Sequence, residues 1–236
     1  MIKIKIALTH EFQKEQVAKE AVKLVKDNTV IGIGTGSTVQ PFIKHLIERV
    51  ENENLNIKCT CTSINSQKLL HGKIPLIDSC LDQIIDTTFD GADEMDMQFN
   101  LIKGGGGALL REKLVAYQSK ENIVLADESK LVNELHKHPL ALEIVPFGSK
   151  STVKRIKDLG YEGDLRKNKK GLLIISDNDN LIFDIKLKEP IKDPLAMHDS
   201  LKSILGVIET GLFIKTAKKA LIGKSDGSVT VRTSQS

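Results

Sequence analysis

The sequence predicts an α/β protein, with a Rossmann-like parallel-sheet main domain and a smaller α+β domain of the split β-α-β, ferredoxin-like type. In the first half of the chain, short apolar strand patterns alternate with longer amphipathic helical patterns, which is typical of a parallel sheet covered by helices. After Pro139 the order changes to strand, helix, hairpin and helix. We therefore expect residues 1–133 and 207–236 to form the main domain and residues 134–206 the small domain.

The elements of the main domain follow from apolar periodicity and from helix-capping residues. Thr9 suits an N-cap position, and the apolar residues after it recur at helical spacing up to about Lys26. Residues 1–6 alternate isoleucine and lysine with period two, which predicts an edge strand or an extended arm. The remaining patterns predict strands at 29–33, 57–62, 74–77, 84–89 and 123–126, and helices at 38–50, 66–71 and 107–119.

The elements of the small domain are predicted in the same way. We expect a strand at 143–147, a helix at 151–159 and a helix at 194–205. Two strands, 172–176 and 181–187, flank Asn178-Asp179-Asn180 and predict a hairpin. Short strands in 211–214 and 220–231 are expected to rejoin the main domain.

Composition excludes several classes of protein. The chain has 236 residues, 40% hydrophobic and 28% charged, with a net charge of +3, which is too mild to indicate a nucleic-acid partner. No apolar run of membrane-spanning length and no signal peptide is evident, so we expect a cytoplasmic protein without a membrane partner. An odd number of cysteines without a CxxC pair indicates reduced thiols. One short basic run indicates a solvated turn: Arg166, Lys167, Lys169 and Lys170.

Four loops that follow predicted strands have polar or glycine-rich sequences: 34–38, 90–94, 103–107 and 127–130. In an α/β protein such loops line the ligand crevice at the carboxyl edge of the sheet. Gly34-Thr-Gly-Ser-Thr38 combines glycines with hydroxyls, which suits a phosphate or sugar hydroxyls. Its spacing does not match the dinucleotide fingerprint, and no Lys-Ser/Thr pair follows as in a P-loop. On its own, it is equally well interpreted as a tight turn.

The segment from Lys103 to Glu112 is the most informative part of the chain. Four consecutive glycines, 104–107, expose bare backbone N–H groups ahead of a helix, an arrangement that suits an anion or a developing oxyanion. Glu112 then falls on an apolar helix face, where a carboxylate is costly unless it is paired or used. Because burial raises the proton affinity of a carboxylate, Glu112 is a candidate base. The alternative is a surface ion pair with Arg111 or Lys113.

Asp90-Gly-Ala-Asp-Glu94 places three carboxylates directly after a predicted strand. A solvated acidic turn is one interpretation. A metal site at Asp90 and Asp93 is another, although few further hard oxygen ligands are evident.

Taken together, these motifs closely resemble the type A ribose-5-phosphate isomerase family. The resemblance rests on GTGST, DGADE, KGGGG-ALL-REK and Ala126-Asp-Glu-Ser-Lys130 in this order. It extends through nearly the whole chain and includes segments 143–147, 176–178, 193–197 and 211–213. It implies interconversion of D-ribose 5-phosphate and D-ribulose 5-phosphate through an enediolate, in the non-oxidative pentose phosphate pathway. It further implies no metal or organic cofactor, and a homodimer or homotetramer.

The resemblance also implies a role for each motif residue. Glu112 would be the general base between C2 and C1, and Lys103 with the glycine N–H groups would stabilise the oxyanion. Asp90 and Asp93 would bind sugar hydroxyls and assist ring opening, Asp93 or Lys103 being the group that moves the proton there. The phosphate would be bound by Ser37, Thr38, Lys130 and Lys14. The implied catalytic residues are Glu112, Asp90, Asp93 and Lys103, and the implied substrate-binding residues are Lys14, Thr35, Gly36, Ser37, Thr38, Asp90, Gly91, Ala92, Asp93, Lys103, Gly104, Gly105, Gly106, Glu112 and Lys130.

Two rival functions share the general architecture. Sugar-phosphate deaminases and lactonases are the nearest enzymes, and the pairing of DGADE with KGGG…REK argues against them. A sugar-phosphate sensor domain of a transcription regulator would need a DNA-binding module, and about one helix precedes the first predicted sheet strand. A binding module also gains nothing from a carboxylate on an apolar face.

Overall fold

The computed structural model describes residues 2–78 and 84–234. The helices are α1 (Ile2–Val22), α2 (Val39–Glu53), α3 (Ile64–Leu70), α4 (Leu109–Tyr117), α5 (Ser149–Asp158) and α6 (Pro194–Lys202), with one 3₁₀ turn at Glu128–Lys130. The strands are β1 (Val30–Ile33), β2 (Lys58–Cys61), β3 (Ile85–Gly91), β4 (Glu94–Met95), β5 (Leu101–Ile102), β6 (Ser119–Asp127), β7 (Leu140–Ile144), β8 (Gly163–Leu165), β9 (Leu181–Ile185), β10 (Val207–Thr210), β11 (Leu212–Phe213), β12 (Lys219–Gly223) and β13 (Val229–Thr233).

The chain divides into two compact units. Unit 1 comprises Met1–Ala92, Leu114–Leu131 and Thr216–Ser236, and unit 2 comprises Asp93–Lys113 and Val132–Lys215. The predicted domain limits, 134–206 against the rest of the chain, stay a prediction.

Unit 1 contains a six-stranded sheet in the order β13-β12-β6-β3-β1-β2. All neighbours are parallel except the β12–β13 pair, so the predicted α/β class is confirmed. The parallel strands are largely buried, as expected for a parallel sheet covered by helices, whereas the edge strand β13 is not. The apolar core includes Val17 of α1, Phe42 of α2 and Phe89 of β3. The rings of Phe42 and Phe89 are stacked at a centroid distance of 4.6 Å.

Unit 2 contains a four-stranded antiparallel sheet in the order β10-β7-β9-β8 and a three-stranded sheet in the order β11-β5-β4. With α5 between β7 and β8, and α6 between β9 and β10, the first sheet has the strand order of a split β-α-β unit. Leu140, Leu142 and Ile144 of β7 belong to the apolar core of this unit. Ala141 and Glu143 alternate with them and therefore lie on the opposite face of the sheet.

Four predicted elements are wrong. The segment 2–6 belongs to α1, because no glycine or proline separates its short alternation from the helical pattern that follows. Segment 74–77 forms only one isolated bridge, between Leu76 and Cys59, and Pro75 interrupts it. The strand predicted at 143–147 ends at Ile144, since Pro146 lacks the N–H that a ladder needs.

The predicted hairpin is the fourth wrong element. Segment 172–176 makes only isolated bridges, Lys167 with Leu173 and Ile175 with Leu181, while β9 pairs over its length with β7 and β8. Strand β8 is only three residues long, which is too short to give a recognisable alternation.

Across residues 2–78 and 84–234, none of the helices has both the length and the apolar character needed to span a bilayer.

Candidate active site

The glycine-hydroxyl loop of unit 1 joins β1 to α2 and is fitted closely to Asp90. A Cβ atom at Gly34 would lie 2.0 Å from Asp90 Oδ1 and 2.6 Å from Asp90 Cα, so only glycine allows this approach. Asp90 is 9% exposed, and its Oδ1 accepts hydrogen bonds from the N–H groups of Thr35, at 3.0 Å, and Gly91, at 2.7 Å. The Asp90 side chain therefore fixes the backbone of both loops.

The same loop is held from a second side by β2 and α3. Thr35 Oγ1 lies 2.7 Å from Thr62 Oγ1, and Ser66 Oγ donates to the Gly34 carbonyl oxygen at 2.7 Å. At the open side of the loop, Lys14 Nζ donates to Ser37 Oγ at 2.8 Å. An ammonium group, a hydroxyl and the N-terminus of α2 thus meet in one place, which suits a phosphate.

Lys130 closes a 3₁₀ turn that directly follows β6. Asp127, which is fully buried, caps this turn by accepting from the Ser129 N–H at 3.1 Å and from the Ser129 hydroxyl. Strands β1, β3 and β6 are adjacent and parallel, so the loops that follow them lie at one edge of the sheet. The predicted carboxyl-edge position of loops 34–38 and 127–130 and of Asp90 is confirmed.

The glycine loop, residues 104–107, belongs to unit 2, where the Asp93 side chain binds its backbone. Asp93 Oδ2 accepts from the Gly105 N–H at 2.8 Å, and a Cβ atom at Gly105 would lie 2.7 Å from Asp93 Oδ1. Gly104 has φ +101°, a conformation that side-chain-bearing residues rarely adopt. Glycine is required at these two positions for different reasons, one steric and one conformational.

Arg166 orients the carbonyl groups of this loop. Its Nη1 donates to the carbonyl oxygens of Gly104, at 2.8 Å, and Gly105, at 3.0 Å. Because a trans peptide directs its C=O and N–H oppositely, the N–H groups of Gly105 and Gly106 are turned away from Arg166. The prediction of a solvated basic turn is wrong for Arg166, whose side chain is only 15% exposed.

Lys103 and Glu112 form a buried pair. Each residue is 4% exposed, and Lys103 Nζ lies 3.5 Å from Glu112 Oε1. The Lys103 ammonium group also lies 5.4 Å from the ring centroid of Phe213. The predicted burial of Glu112 is confirmed, and the alternative of a surface ion pair is wrong. Two buried groups of opposite charge are suited to proton transfer with charge stabilisation.

A second buried pair lies one residue further along α4. Lys113 Nζ donates to Glu209 Oε1 and to the carbonyl oxygens of Thr210 and Leu212, each at 2.8 Å. Burial lowers the pKa of Lys113 and the Glu209 charge opposes this. Burial alone would raise the pKa of Glu209, but the charge and hydrogen bond of Lys113 outweigh it and the net shift is downward. Glu209 had no recognisable local signal in the sequence, and the contacts that Phe213 and Arg166 make here were not predicted.

The acidic motif is not a solvated turn. Asp90 is 9% and Glu94 1% exposed, and Glu94 accepts from the backbone N–H groups of His136, at 2.9 Å, and His138. Asp90 and Asp93 both accept backbone N–H groups as well. In the described residues, no three His, Cys, Asp or Glu side chains are grouped as metal ligands would be.

Comparison with known proteins gives a consistent result. Residues 58–227 match the family model of ribose 5-phosphate isomerase A (phosphoriboisomerase A). The chain is 46% identical over 217 residues to ribose-5-phosphate isomerase A of Protochlamydia amoebophila, covering 91% of this chain and 92% of that protein. The structure of ribose 5-phosphate isomerase A from Methanocaldococcus jannaschii matches with a TM-score of 0.87 and 39% identity, covering 94% of this chain and 98% of that one. A D-ribose-5-phosphate isomerase in complex with phospho-erythronic acid matches with a TM-score of 0.90 and 37% identity, covering 95% and 99%.

Proposed function

The chain belongs to the ribose 5-phosphate isomerase A family, and from this premise we propose how its own residues carry out the reaction. The enzyme interconverts D-ribose 5-phosphate and D-ribulose 5-phosphate. The observation on which our mechanism depends is the buried Lys103–Glu112 pair.

Glu112 is the general base of the proposed mechanism. Conversion of the aldose to the ketose removes a proton from C2 and delivers one to C1, and the state between them is an enediolate. A carboxylate that is buried and already oriented takes and returns a proton without first rearranging a water shell. The 4% exposure of Glu112 supports this role.

Lys103 and the glycine loop stabilise the negative charge of the enediolate. The Lys103 ammonium group is buried, so its field is weakly screened. The Gly106 N–H group is directed away from Arg166, and a fixed donor of this kind is worth several kcal/mol when charge develops near it. Phospho-erythronic acid, bound by the solved relative, is a sugar-acid phosphate, which supports a sugar phosphate as the substrate.

The remaining motif residues bind and open the sugar. We assign the phosphate to Lys14, Ser37, Thr38 and Lys130, with support from the Lys14–Ser37 hydrogen bond of 2.8 Å. Asp90 and Asp93 bind sugar hydroxyls, and Asp93 or Lys103 moves the proton in ring opening. A bound phosphate fixes one end of the substrate, which lowers the entropy cost of the reaction at the other end.

This proton-transfer mechanism is complete without a metal or organic cofactor, and we propose that none is needed. We also propose a cytoplasmic homodimer or homotetramer. Light scattering of the purified protein measures the oligomeric state directly, and a monomeric mass in active preparations would contradict this proposal.

The test is turnover of ribose 5-phosphate in the presence of EDTA by the wild type and by Glu112→Gln. The variant keeps the shape of the side chain but cannot accept the proton, so we expect kcat to fall by about two orders of magnitude or more while the substrate still binds. Glu134→Gln, an exposed carboxylate in unit 2, is the matched control and should keep full activity. Near-wild-type turnover by Glu112→Gln would refute the assignment of the base.

Loss of wild-type activity on addition of EDTA would refute the metal-free mechanism. Binding of ribose 5-phosphate without any turnover by the wild type would favour the sensor alternative.

A further inference from the structure

Both neighbours of Glu112 are anchored within unit 2. Arg111, Glu112 and Lys113 are consecutive in the first half of α4, so their side chains leave the helix about 100° apart. Two fixed side chains, one on each side of Glu112, restrain the rotation of the helix about its own axis. The direction of the Glu112 carboxylate then depends on both anchors.

The anchor on the C-terminal side is buried. Lys113 is 6% exposed and reaches three acceptors at 2.8 Å: Glu209 Oε1 and the carbonyl oxygens of Thr210 and Leu212. Three bonds from one ammonium group fill its donor capacity. This anchor is part of the packing of the unit.

The anchor on the N-terminal side is a turn. Arg111 Nε donates to Asn178 Oδ1 at 2.8 Å, and its Nη2 donates to the Asp177 carbonyl oxygen. Arg111 Nη1 also lies 4.0 Å from Asp177 Oδ2. The guanidinium group is planar, so bonds from two of its nitrogens fix both its position and its orientation.

Glu143 holds that turn, residues 176–180, by hydrogen bonds. It is fully buried on the face of β7 that is opposite to the apolar core. Its Oε1 accepts from Ser176 Oγ at 2.8 Å, Asn178 Nδ2 at 3.1 Å and Asn180 Nδ2 at 2.9 Å. One carboxyl oxygen therefore gathers three side chains of a five-residue turn, and Asn178 links it directly to Arg111.

We propose that Arg111 is a positioning residue for Glu112, and that Glu143 acts through Asn178 to hold it. This inference rests on the proposed role of Glu112 as base. The carboxylate lies about 6 Å from the helix axis, so a rotation of about 10° displaces it by about 1 Å. A misplacement of that size lowers the rate of a catalysed step by up to about 100-fold.

The experiment compares two asparagines of the same turn. Asn178→Ala and Asn180→Ala each remove one hydrogen bond to Glu143 Oε1, but only Asn178 contacts Arg111. Arg111→Lys is the second variant, because it keeps the positive charge and loses the planar fork. For each we measure kcat, KM and the isotope effect with substrate deuterated at C2, beside Glu112→Gln.

We expect Asn178→Ala and Arg111→Lys to lower kcat about tenfold while KM stays within about twofold of the wild type. The isotope effect should become larger, because only the proton-transfer step is slowed. Asn180→Ala should keep kcat within about twofold. Equal kcat values in the two asparagine variants, with Glu112→Gln inactive, would overturn this inference alone. Retained turnover in Glu112→Gln would overturn the proposed function and this inference with it.

Discussion

Replacing Lys113 by methionine should strongly destabilise the protein. Methionine keeps most of the volume and removes the charge together with three hydrogen bonds, to Glu209, Thr210 and Leu212. The side chains of Lys113 and Glu209 are 7% and 13% exposed, so water does not replace the lost partner. The ammonium group also lies 4.8 Å from the ring centroid of Phe213, and that attraction is lost as well.

The magnitude follows from what remains around Glu209. Removing one partner of a buried ion pair costs about 3 to 5 kcal/mol, because the other charge stays buried. Here Lys202 Nζ lies 3.4 Å from Glu209 Oε2, so part of the charge stays compensated. We therefore expect a loss near the lower end, about 3 kcal/mol.

Urea unfolding of the full chain, followed by circular dichroism, measures this loss as a lower transition midpoint at unchanged slope. Lys154→Met is the control, because Lys154 pairs with Asp158 on the surface of α5, where the two side chains are 75% and 58% exposed. Exposed pairs contribute little to stability, so this variant should unfold like the wild type. A second variant adds Glu209→Leu to Lys113→Met and should recover much of the stability, since apolar replacement of a buried pair is often neutral. A loss below about 1 kcal/mol in Lys113→Met would refute the reasoning, as would a double variant that is less stable than the single one.

Three further predictions concern unit 1. Gly34→Ala should lower the free energy of unfolding by about 1 to 3 kcal/mol in a urea titration, because the new Cβ atom would lie 2.0 Å from a carboxylate oxygen. In Gly91→Ala the nearest neighbour of the new atom is 3.8 Å away, so this control should lose less than about 1 kcal/mol, and equal losses in the two variants would contradict the prediction. Cys59 and Cys61 should resist alkylation by iodoacetamide at neutral pH, because burial raises the pKa of both thiols, that of Cys61 to about 12. Peptide mass mapping measures the alkylation, and rapid modification of either residue in the folded protein would disprove their burial. Lys130→Ala should mainly raise KM in a steady-state assay, as expected for lost phosphate binding, and an unchanged KM would remove Lys130 from the site.

The sequence predicted the parts of the site that depend on local order. Strands β1, β3 and β6 each have an apolar pattern followed by a polar loop, and parallel pairing then places the loops at one edge without further information. Glu112 was predicted to be buried from its helical spacing alone, and it is. These predictions succeeded because each used residues within a few positions of one another.

What the sequence did not predict depends on contacts between distant segments. Lys113 and Glu209 are 96 positions apart, and Arg166 reaches Gly104 across 62. No local periodicity shows which of several lysines meets which glutamate, so Arg166 was interpreted as part of a solvated turn. The same reason explains why Asp93, although it follows Asp90 in one motif, was not expected to take its hydrogen-bond donor from Gly105.

Comparison of the two buried pairs of unit 2 shows how one helix serves two purposes. Both ammonium groups lie near Phe213, but Lys113 is 2.8 Å from its carboxylate and Lys103 is 3.5 Å from Glu112. The shorter distance is that of a direct charge-assisted hydrogen bond, which favours the ionised carboxylate and weakens it as a base. The longer distance is that of an ion pair, which keeps a positive field at the Glu112 carboxylate. The tight pair therefore holds the helix in place, and in the proposed mechanism the other pair supplies the base and the positive charge beside it.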